Sequence, residues 1–219
     1  MSKRTRCARC ERPIKTCLCA DLVELSCNYR LIILQDPKEA KHALSSAPIL
    51  EKSIVGAQRV IGEVFDPVSL LGEGWQSNSL LIYPHEKSLS QQQAVEQNFK
   101  NLILLDGTWR KVARMLHLNP WLSELPCFAI DSSYESQYLI RKSPRADGLS
   151  TIEAAVKVLN DLHSTSEKTD QAKNGQTFDS ILGAFNKMIE FQISAMGSDT
   201  FNKNYSSNTN HSPNKNHSS

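Results

Sequence analysis

The chain has 219 residues, of which 40% are hydrophobic, and its formal net charge at pH 7 is +2. This length suits one well-filled domain with small appendages, and no apolar run approaches the roughly 18 residues that a membrane span needs. Six cysteines with no apolar signal region before them are not typical of a secreted disulfide scaffold, so we expect a cytoplasmic protein with reduced thiols.

The N-terminal segment, residues 1–27, combines a cysteine cluster with positive charge. Its cysteines follow the pattern Cys7-x2-Cys10-x6-Cys17-x-Cys19, and four thiolates at this spacing can enclose one Zn²⁺ tetrahedrally. We therefore predict a small zinc-binding segment with a structural metal, and redox-active or incidental thiols are the alternative. The basic residues favour a polyanion such as RNA, although solvated basic termini are common. They are Lys3, Arg4, Arg6, Arg9, Arg12 and Lys15.

Apolar runs alternate with helical patterns through residues 28–196, the predicted catalytic domain. Short apolar runs bounded by turn residues indicate strands, and apolar residues at helical spacing indicate amphipathic helices. The alternation predicts an α/β domain whose mostly parallel sheet carries helices on both faces. The predicted strands are 29–34, 58–64, 79–83, 102–105 and 125–130, and the predicted helices begin near Pro48, Ser88, Trp109, Ser150 and Phe178. We predict a turn-rich connection over residues 66–74, a polar linker over 164–176 and a disordered tail over 197–219.

The stretch Leu102–Lys111 delivers polar groups to the end of a predicted strand. Four apolar residues are followed by the breaker Asp106-Gly107, and helical spacing starts at Trp109. Ligands of open α/β sheets bind at the carboxyl ends of strands, so Asp106, Thr108 and Trp109 lie where a ligand is expected. The chain has no G-x-G-x-x-G and no P-loop, which excludes the ordinary dinucleotide and ATP fingerprints.

Two predicted helix starts carry hydroxyl side chains. Ser45 and Ser46 either cap the first helix or leave free amides there that receive a carboxylate or a phosphate. Ser150 and Glu153 form a capping-box pattern at the start of a later helix. The basic loop 141–145 precedes that helix, and a solvated charge run is its alternative interpretation.

An ordered series of motifs resembles the DTW-domain family, which is named for an Asp-x-Thr-Trp motif. The resemblance covers about residues 7–196 and implies a tRNA-uridine aminocarboxypropyltransferase. Such an enzyme moves the 3-amino-3-carboxypropyl group of S-adenosylmethionine to N3 of a uridine in tRNA and releases 5′-methylthioadenosine. The related SPOUT class implies a C-terminal trefoil knot that holds the cofactor, although knots are rare. The matching segments are the cysteine cluster and residues 35–39, 81–84, 106–111, 138–142 and 149–154.

The resemblance implies catalytic roles for three residues. Asp106 is the candidate general base for the N3 proton, and a helix cap or a hydrogen-bond anchor is its alternative role. Thr108 either binds the cofactor or closes the turn. Trp109 is the candidate hydrophobic wall beside the sulfonium, where cation–π attraction would add to binding. Many relatives carry His at the position of Asp36 and Thr at the position of Ser46.

Cofactor and RNA contacts complete this expectation. Leu81 either contacts the cofactor or belongs to the core of the sheet. The basic residues bind either tRNA phosphates or the carboxylate of the cofactor. The candidate cofactor-binding residues are Ser46, Leu81, Tyr83, Leu105, Trp109, Leu149, Ser150 and Thr151. The candidate tRNA-binding residues are Arg110, Lys111, Arg114, Arg141, Lys142 and Arg145. Two other functions stay open: a SPOUT-type RNA methyltransferase that uses the same cofactor, and a zinc-containing RNA-binding module without catalysis.

Overall fold

A single parallel sheet organises the part of the chain that the structure describes. The computed structural model describes residues 5–130, 149–166 and 177–196. The strands are β1 (Arg30–Gln35), β2 (Gln58–Ile61), β3 (Ser79–Ile82), β4 (Asn101–Asp106) and β5 (Cys127–Phe128). Within the described ranges they form one sheet in the order β2-β1-β4-β3-β5, and every neighbouring pair is parallel.

Helices cover both faces of this sheet because successive side chains of each strand point to opposite faces. The helices are α1 (Ala47–Ser53), α2 (Pro67–Leu71), α3 (Trp75–Asn78), α4 (Gln91–Glu96), α5 (Trp109–Leu118), α6 (Thr151–Ser166) and α7 (Leu182–Met196). Leu31 and Ile33 lie in the core that includes α1, α4, α6 and α7. Ile32 and Leu34 lie in a second core with α2, α3 and α5. The predicted α/β class and parallel sheet are confirmed.

The connection predicted over residues 66–74 is wrong in part, because it contains helix α2. The Asp66 carboxylate accepts a hydrogen bond from the Ser69 backbone N–H (2.7 Å), and Pro67 occupies the first helical turn. An Asp-Pro pair is suited to a helix start as well as to a turn, because the carboxylate caps free amides and proline needs no donor there. Helix α6 also extends to Ser166, into the predicted linker.

Other element bounds differ by a few residues. Strand β2 ends at Ile61, three residues before the predicted end, and β5 keeps only two of its six predicted residues. Helix α4 begins at Gln91, because a capping box between Ser90 and Gln93 fixes its start.

Residues 131–148, which connect β5 with α6, lie outside the described residues, as does the tail 197–219, so the knot and the disordered tail stay predictions. No helix in the described ranges combines the length and the apolar character needed to cross a membrane.

The N-terminal segment packs against the sheet domain. Leu18 is 1% exposed and belongs to the core beneath α6 and α7. Leu25 pairs with the chain after α1, where its backbone N–H donates to the Ser53 carbonyl at 2.9 Å. The Arg12 guanidinium donates to the sulfur of Met188 in α7 at 3.2 Å. The cysteine-bearing segment is therefore held by apolar and backbone contacts as well as by its own loops.

Candidate functional site

The carboxyl ends of β1 and β4 meet side by side. Gln35 and Asp106, the last residues of these strands, are register partners. The backbone N–H of Asp36 donates to the Asp106 carbonyl at 3.0 Å, so the pairing continues one residue beyond β1. The two strands therefore hold the start of the Asp-Gly-Thr-Trp turn at a fixed position in the sheet.

The Asp106 carboxylate is buried and bonded on both oxygens. The side chain is 3% exposed. Its Oδ2 accepts a hydrogen bond from Gln35 Nε2 (2.6 Å), and its Oδ1 accepts one from the hydroxyl of Thr151. Thr151 is the first residue of α6. The carboxylate thus joins β1, β4 and the start of α6, and this geometry suits the anchoring role.

Gln35 connects this carboxylate to the ion pair of Arg59 and Glu51. Its Nε2 also donates to Ser45 Oγ (2.8 Å), and its Oε1 accepts from an Arg59 N–H (2.8 Å). Arg59 Nε donates in turn to Glu51 Oε2 at 2.8 Å. Gln35 is 0% exposed, so its amide is a buried connector between the guanidinium of Arg59 and the carboxylate of Asp106.

The aromatic side of the site is open. Trp109 is 40% exposed although it begins helix α5, and its ring meets the Tyr83 ring edge-on with centroids 6.5 Å apart. Tyr83 follows β3, and its backbone N–H donates to the Phe128 carbonyl of β5 (3.1 Å). Thr108 precedes the helix, and its hydroxyl makes no capping bond to the described first turn of α5. Thr108 and Trp109 are therefore accessible to solvent, and Tyr83 lies half-buried beside the indole.

A charged groove of about 360 Å³ has Thr108 in its lining. Its walls come from the chain after β1, the chain after β2 and helix α5. Its lining residues are Asp36, Lys38, Glu63, Thr108, Arg110, Lys111 and Arg114. Cations outnumber acids on these walls, which favours an anionic ligand.

Two of the groove's cations are neutralised within the protein. Lys111 Nζ lies 3.0 Å from Glu39 Oε2 and 3.3 Å from Asp36 Oδ1. Arg114 forms a more exposed pair with Glu63 at 2.9 Å. Arg110 has no carboxylate within ion-pair distance among the described residues and is exposed. The three predicted RNA-binding residues of α5, Arg110, Lys111 and Arg114, therefore differ in the charge that they present to a ligand.

Asp36 and Lys111 each shift the pKa of the other. Burial raises the pKa of the Asp36 carboxyl, but the backbone N–H groups of Lys38 and Glu39 and the Lys111 ammonium outweigh it, so that this pKa lies below its ordinary value. Burial lowers the pKa of Lys111, but Glu39 and Asp36 outweigh it and the net shift is upward. Both groups are thus held in their charged forms.

The remaining predicted cofactor-binding residues lie in different surroundings. Leu81 is 1% exposed in the core beside α5, as expected for its sheet-core alternative, and Leu105 is half-buried against the same core. Ser46 is the N-cap of α1, but its hydroxyl makes no capping bond. The backbone N–H of Ser150 donates to Glu153 Oε2 at 2.9 Å, and the backbone N–H of Glu153 donates to Ser150 Oγ at 3.4 Å, which confirms the capping box.

Some predicted residues lie outside the described ranges. They are Arg141, Lys142 and Arg145. Leu149, the first described residue after position 148, is half-buried.

The four N-terminal cysteines converge. The sulfur atoms of Cys7, Cys10, Cys17 and Cys19 all lie within 4.8 Å of one another, with Cys7 and Cys19 3.5 Å apart and Cys10 and Cys17 3.6 Å apart. A tetrahedral zinc site with Zn–S bonds of about 2.3 Å places its sulfurs roughly 3.8 Å apart. The backbone N–H groups of Cys10 and Arg9 lower the pKa of Cys7 to about 6, whereas hydrogen bonds among the four thiols raise the pKa of Cys19 to about 12 and leave that of Cys17 above its ordinary value. The convergence of the four sulfurs is therefore the observation that points to a metal. The cluster can therefore hold a metal ion.

Sequence reasoning missed the polar residues behind Asp106. Arg59 occupies a predicted strand and Glu51 a predicted helix, whereas Gln35 directly follows the predicted strand 29–34. Gln35 also begins the matching segment 35–39, but nothing in that segment marks it as a partner of Asp106. The one local signal is that Gln35 is a polar residue directly after the apolar run 31–34 and is nevertheless buried. A buried amide needs hydrogen-bond partners, but its position in sequence does not say which ones.

Comparison with known proteins decides the family, because the DTW domain profile matches residues 4–193. The chain belongs to the DTW domain family. This DTW domain protein is 28% identical over 202 residues to tRNA-uridine aminocarboxypropyltransferase 2 of Macaca fascicularis, an alignment that covers 87% of the chain and 64% of the relative. It is 27% identical over 214 residues to the protein of the same name from Mus musculus, covering 93% of the chain and 68% of the relative.

A plant relative is similar over most of both chains. The DTW domain protein is 25% identical over 225 residues to tRNA-uridine aminocarboxypropyltransferase A of Arabidopsis thaliana, covering 87% of the chain and 81% of the relative. The chain spans slightly less than two thirds of the length of the macaque relative. No solved structure matches the DTW domain protein.

Proposed function

We propose that this DTW domain protein is a tRNA-uridine aminocarboxypropyltransferase that uses S-adenosylmethionine as donor. Relatives from animals and a plant carry that name for the transferase. The observation that carries the proposal is the position of the motif at the carboxyl end of β4, where Asp106 meets Thr151 and Trp109 meets Tyr83. Ligands of open parallel sheets bind at this edge.

The proposed reaction is a displacement at carbon. Uracil N3 forms a bond to the γ-carbon of the methionyl group while the bond between that carbon and the sulfonium sulfur breaks. The sulfur leaves with the electron pair as the neutral thioether of 5′-methylthioadenosine, and the N3 proton passes to a base or to solvent. Because the sulfonium is already a good leaving group, positioning of the two reactants supplies much of the catalysis.

Trp109 and Tyr83 are the groups proposed to select which carbon is attacked. A methyltransferase offers the methyl carbon of the sulfonium to its nucleophile, whereas this reaction requires the methyl group to be covered and the longer chain to be presented. The half-exposed indole of Trp109, with the Tyr83 ring against it, provides an aromatic surface for that purpose. A cation near an indole face is also attracted by the ring.

The charged groove is the proposed approach for tRNA phosphate. Arg110 and Lys38 are the groove cations with no ion pair among the described residues, whereas Lys111 and Arg114 are already paired. An exposed guanidinium binds a phosphate with two parallel hydrogen bonds. Arg110 directly follows Trp109, so a phosphate bound there would bring the RNA chain beside the proposed donor site.

The cysteine cluster is the proposed site of a structural zinc ion. All four ligand positions would be occupied by Cys7, Cys10, Cys17 and Cys19, which leaves no open position for a substrate. The metal would supply folding energy to a short polar loop rather than chemistry at the reacting carbon.

Analysis of the adenosine product tests the proposed function. The purified protein is incubated with S-adenosylmethionine and tRNA, and the small-molecule product is separated by liquid chromatography and mass spectrometry. We expect 5′-methylthioadenosine together with a uridine that gains the aminocarboxypropyl group. S-Adenosylhomocysteine would instead indicate a methyltransferase, and tRNA binding without affinity for S-adenosylmethionine in calorimetry would indicate a binding module.

A further inference from the structure

The buried amide of Gln35 has one orientation that satisfies both of its neighbours. A guanidinium can only donate hydrogen bonds, and an ionised carboxylate can only accept them. The amide oxygen therefore faces Arg59 (2.8 Å) and the amide nitrogen faces Asp106 (2.6 Å). Its second N–H is used by Ser45 at 2.8 Å. The guanidinium of Arg59 and the carboxylate of Asp106 together fix the orientation of the Gln35 amide.

Asp106 is placed to accept hydrogen bonds rather than to receive a proton from a substrate. Its Oδ2 meets the N–H of Gln35, and its Oδ1 meets the hydroxyl of Thr151. A proton on Oδ2 would point at the Gln35 N–H group and leave two donors opposed. Asp106 is also only 3% exposed, which limits direct contact between its oxygens and a substrate.

The same carboxylate joins parts of the chain that are far apart in sequence. Gln35 precedes Asp106 by 71 residues, and Thr151 follows it by 45 residues. Thr108 and Trp109 come directly after Asp106. The contact therefore determines where the motif lies relative to the first turn of α6.

From these contacts we propose that Asp106 is a fixed anchor of the donor site, and that Gln35 and Arg59 are positioning residues that act through it. The proposal rests on the proposed function, since the donor site is the one assigned to S-adenosylmethionine. Gln35 bonds directly to Asp106, whereas Arg59 bonds to Gln35 and so reaches Asp106 only through it.

A reversal of hydrogen-bond polarity tests this assignment. Gln35→Glu sets a second carboxylate against Asp106, and we expect the dissociation constant of S-adenosylmethionine, measured by calorimetry, to rise about ten- to a hundredfold, the effect of one lost hydrogen bond to a charged group. Adding Asp106→Asn supplies an amide N–H to the carboxylate introduced at position 35. The double variant should then bind the donor as well as Asp106→Asn alone.

Asp106→Asn by itself separates an anchor from a general base. Its amide can accept from Gln35 and donate to the Thr151 oxygen, so an anchor survives and kcat falls less than about a hundredfold, the lower limit of general-base contributions. A larger fall in kcat with unchanged donor affinity would overturn the proposal. A double variant that binds no better than Gln35→Glu would overturn it as well.

Asn101→Ala is the matched control at the opposite end of β4. Asn101 is also buried, at 5% exposure, and its side chain bonds to Ser79 Oγ at 3.1 Å. We expect this variant to lower the melting temperature without changing donor affinity. An equal loss of donor affinity in both variants would show that Gln35 acts only through general stability.

Hydrogen–deuterium exchange keeps the test separate from the proposed function. If the wild-type protein bound no S-adenosylmethionine, the proposed function would fail, yet the anchor would still be measurable. Gln35→Glu should speed amide exchange in the first turn of α6, next to Thr151, more than Asn101→Ala does. Equal exchange in the two variants would overturn the anchor.

Discussion

At the scale of single residues, adjacent cations of α5 have different surroundings. Arg110 is exposed and has no acidic partner among the described residues, whereas Lys111 is held by Asp36 and Glu39. An exposed unpaired cation keeps its charge available to a ligand, whereas a paired one contributes to the protein's own electrostatic balance. The groove therefore depends on Lys111 for its shape and on Arg110 for attraction.

Arg110→Ala should weaken tRNA binding while the protein stays as stable as the wild type. If Arg110 contacts a phosphate, the slope of log affinity against log salt concentration should decrease by about 1. Arg114→Ala is the matched control, because Arg114 is neutralised by Glu63 and should change the slope less. Filter binding over a salt series measures both, and equal slopes for Arg110→Ala and the wild type would contradict the prediction.

Lys111→Met should lower the free energy of unfolding near neutral pH by about 1–3 kcal/mol, because it leaves two largely buried carboxylates without their cation. The pKa of Asp36 is lowered, so its contribution is present above the unfolded value of about 3.9 and is lost as pH falls through the folded value. The pKa of Lys111 is raised, so its contribution is present below about 10.4 and is lost as pH rises through the folded value.

The difference in unfolding free energy between the wild type and Lys111→Met should consequently disappear at both low and high pH. Urea unfolding near pH 7 and at about pH 2 measures the difference, since the wild type's advantage decreases as the pH falls below the unfolded pKa of about 3.9 and is lost once Asp36 is protonated in the folded protein as well. A difference in unfolding free energy that is the same at both pH values would contradict the ion-pair explanation.

Trp109→Ala should weaken S-adenosylmethionine binding with little change in the melting temperature. The indole is 40% exposed, so its removal leaves no large cavity. The loss of a cation–π contact of about 1–2 kcal/mol corresponds to roughly a five- to thirtyfold weaker affinity. Calorimetry and thermal melting check the two parts, and unchanged affinity would remove Trp109 from the donor site.

At the scale of elements, the N-terminal cysteine loops contain little regular secondary structure. A single 3-10 turn, Ile14–Thr16, is the only regular helix among the described residues before β1. The four converging sulfurs supply the contact that such a segment needs. Metal binding and local folding should therefore be one event.

Cys17→Ser should lose bound zinc and lower the melting temperature. Cys27→Ser is the matched control, because Cys27 lies outside the cluster and its sulfur contacts the Tyr29 backbone N–H instead (3.4 Å). Elemental analysis of the purified proteins should find zinc in the control and little in Cys17→Ser. A full zinc complement in Cys17→Ser would refute the cluster as the metal site.

At the scale of the whole molecule, the cysteine segment and the sheet domain share a core. Leu18 lies among side chains of the sheet and of α6 and α7. The predicted boundary at residue 28 stays a prediction, but the contacts that cross it are those of a packed interior. We therefore expect the two parts to unfold together.

Leu18→Ala should lower the free energy of unfolding by about 2–5 kcal/mol, as for other large-to-small changes in a core. Ile14→Ala is the control in the same segment, because Ile14 is 55% exposed and Leu18 is 1% exposed. An exposed substitution should stay within about 0.5 kcal/mol. Denaturant unfolding followed by circular dichroism measures both, and similar losses would contradict a shared core.

The sequence by itself determined the fold class and the position of the motif. Apolar runs such as 31–34 and 102–105 indicate strands because burial on both faces requires continuous apolar residues. The change from this pattern to a breaker at Asp106-Gly107 places the motif at a strand end. The capping box of Ser150 is likewise a local pattern, and the structure confirms it.

Only the tertiary structure decided which polar groups meet. The partners of Asp106 lie 71 and 45 residues away along the chain, and their contact follows from strand register and from helix packing rather than from any local pattern. The same packing pairs Lys111 with Glu39 and leaves Arg110 exposed. Local sequence specifies elements through periodicity and capping, whereas long-range hydrogen bonds and ion pairs form only once the sheet has brought their side chains together.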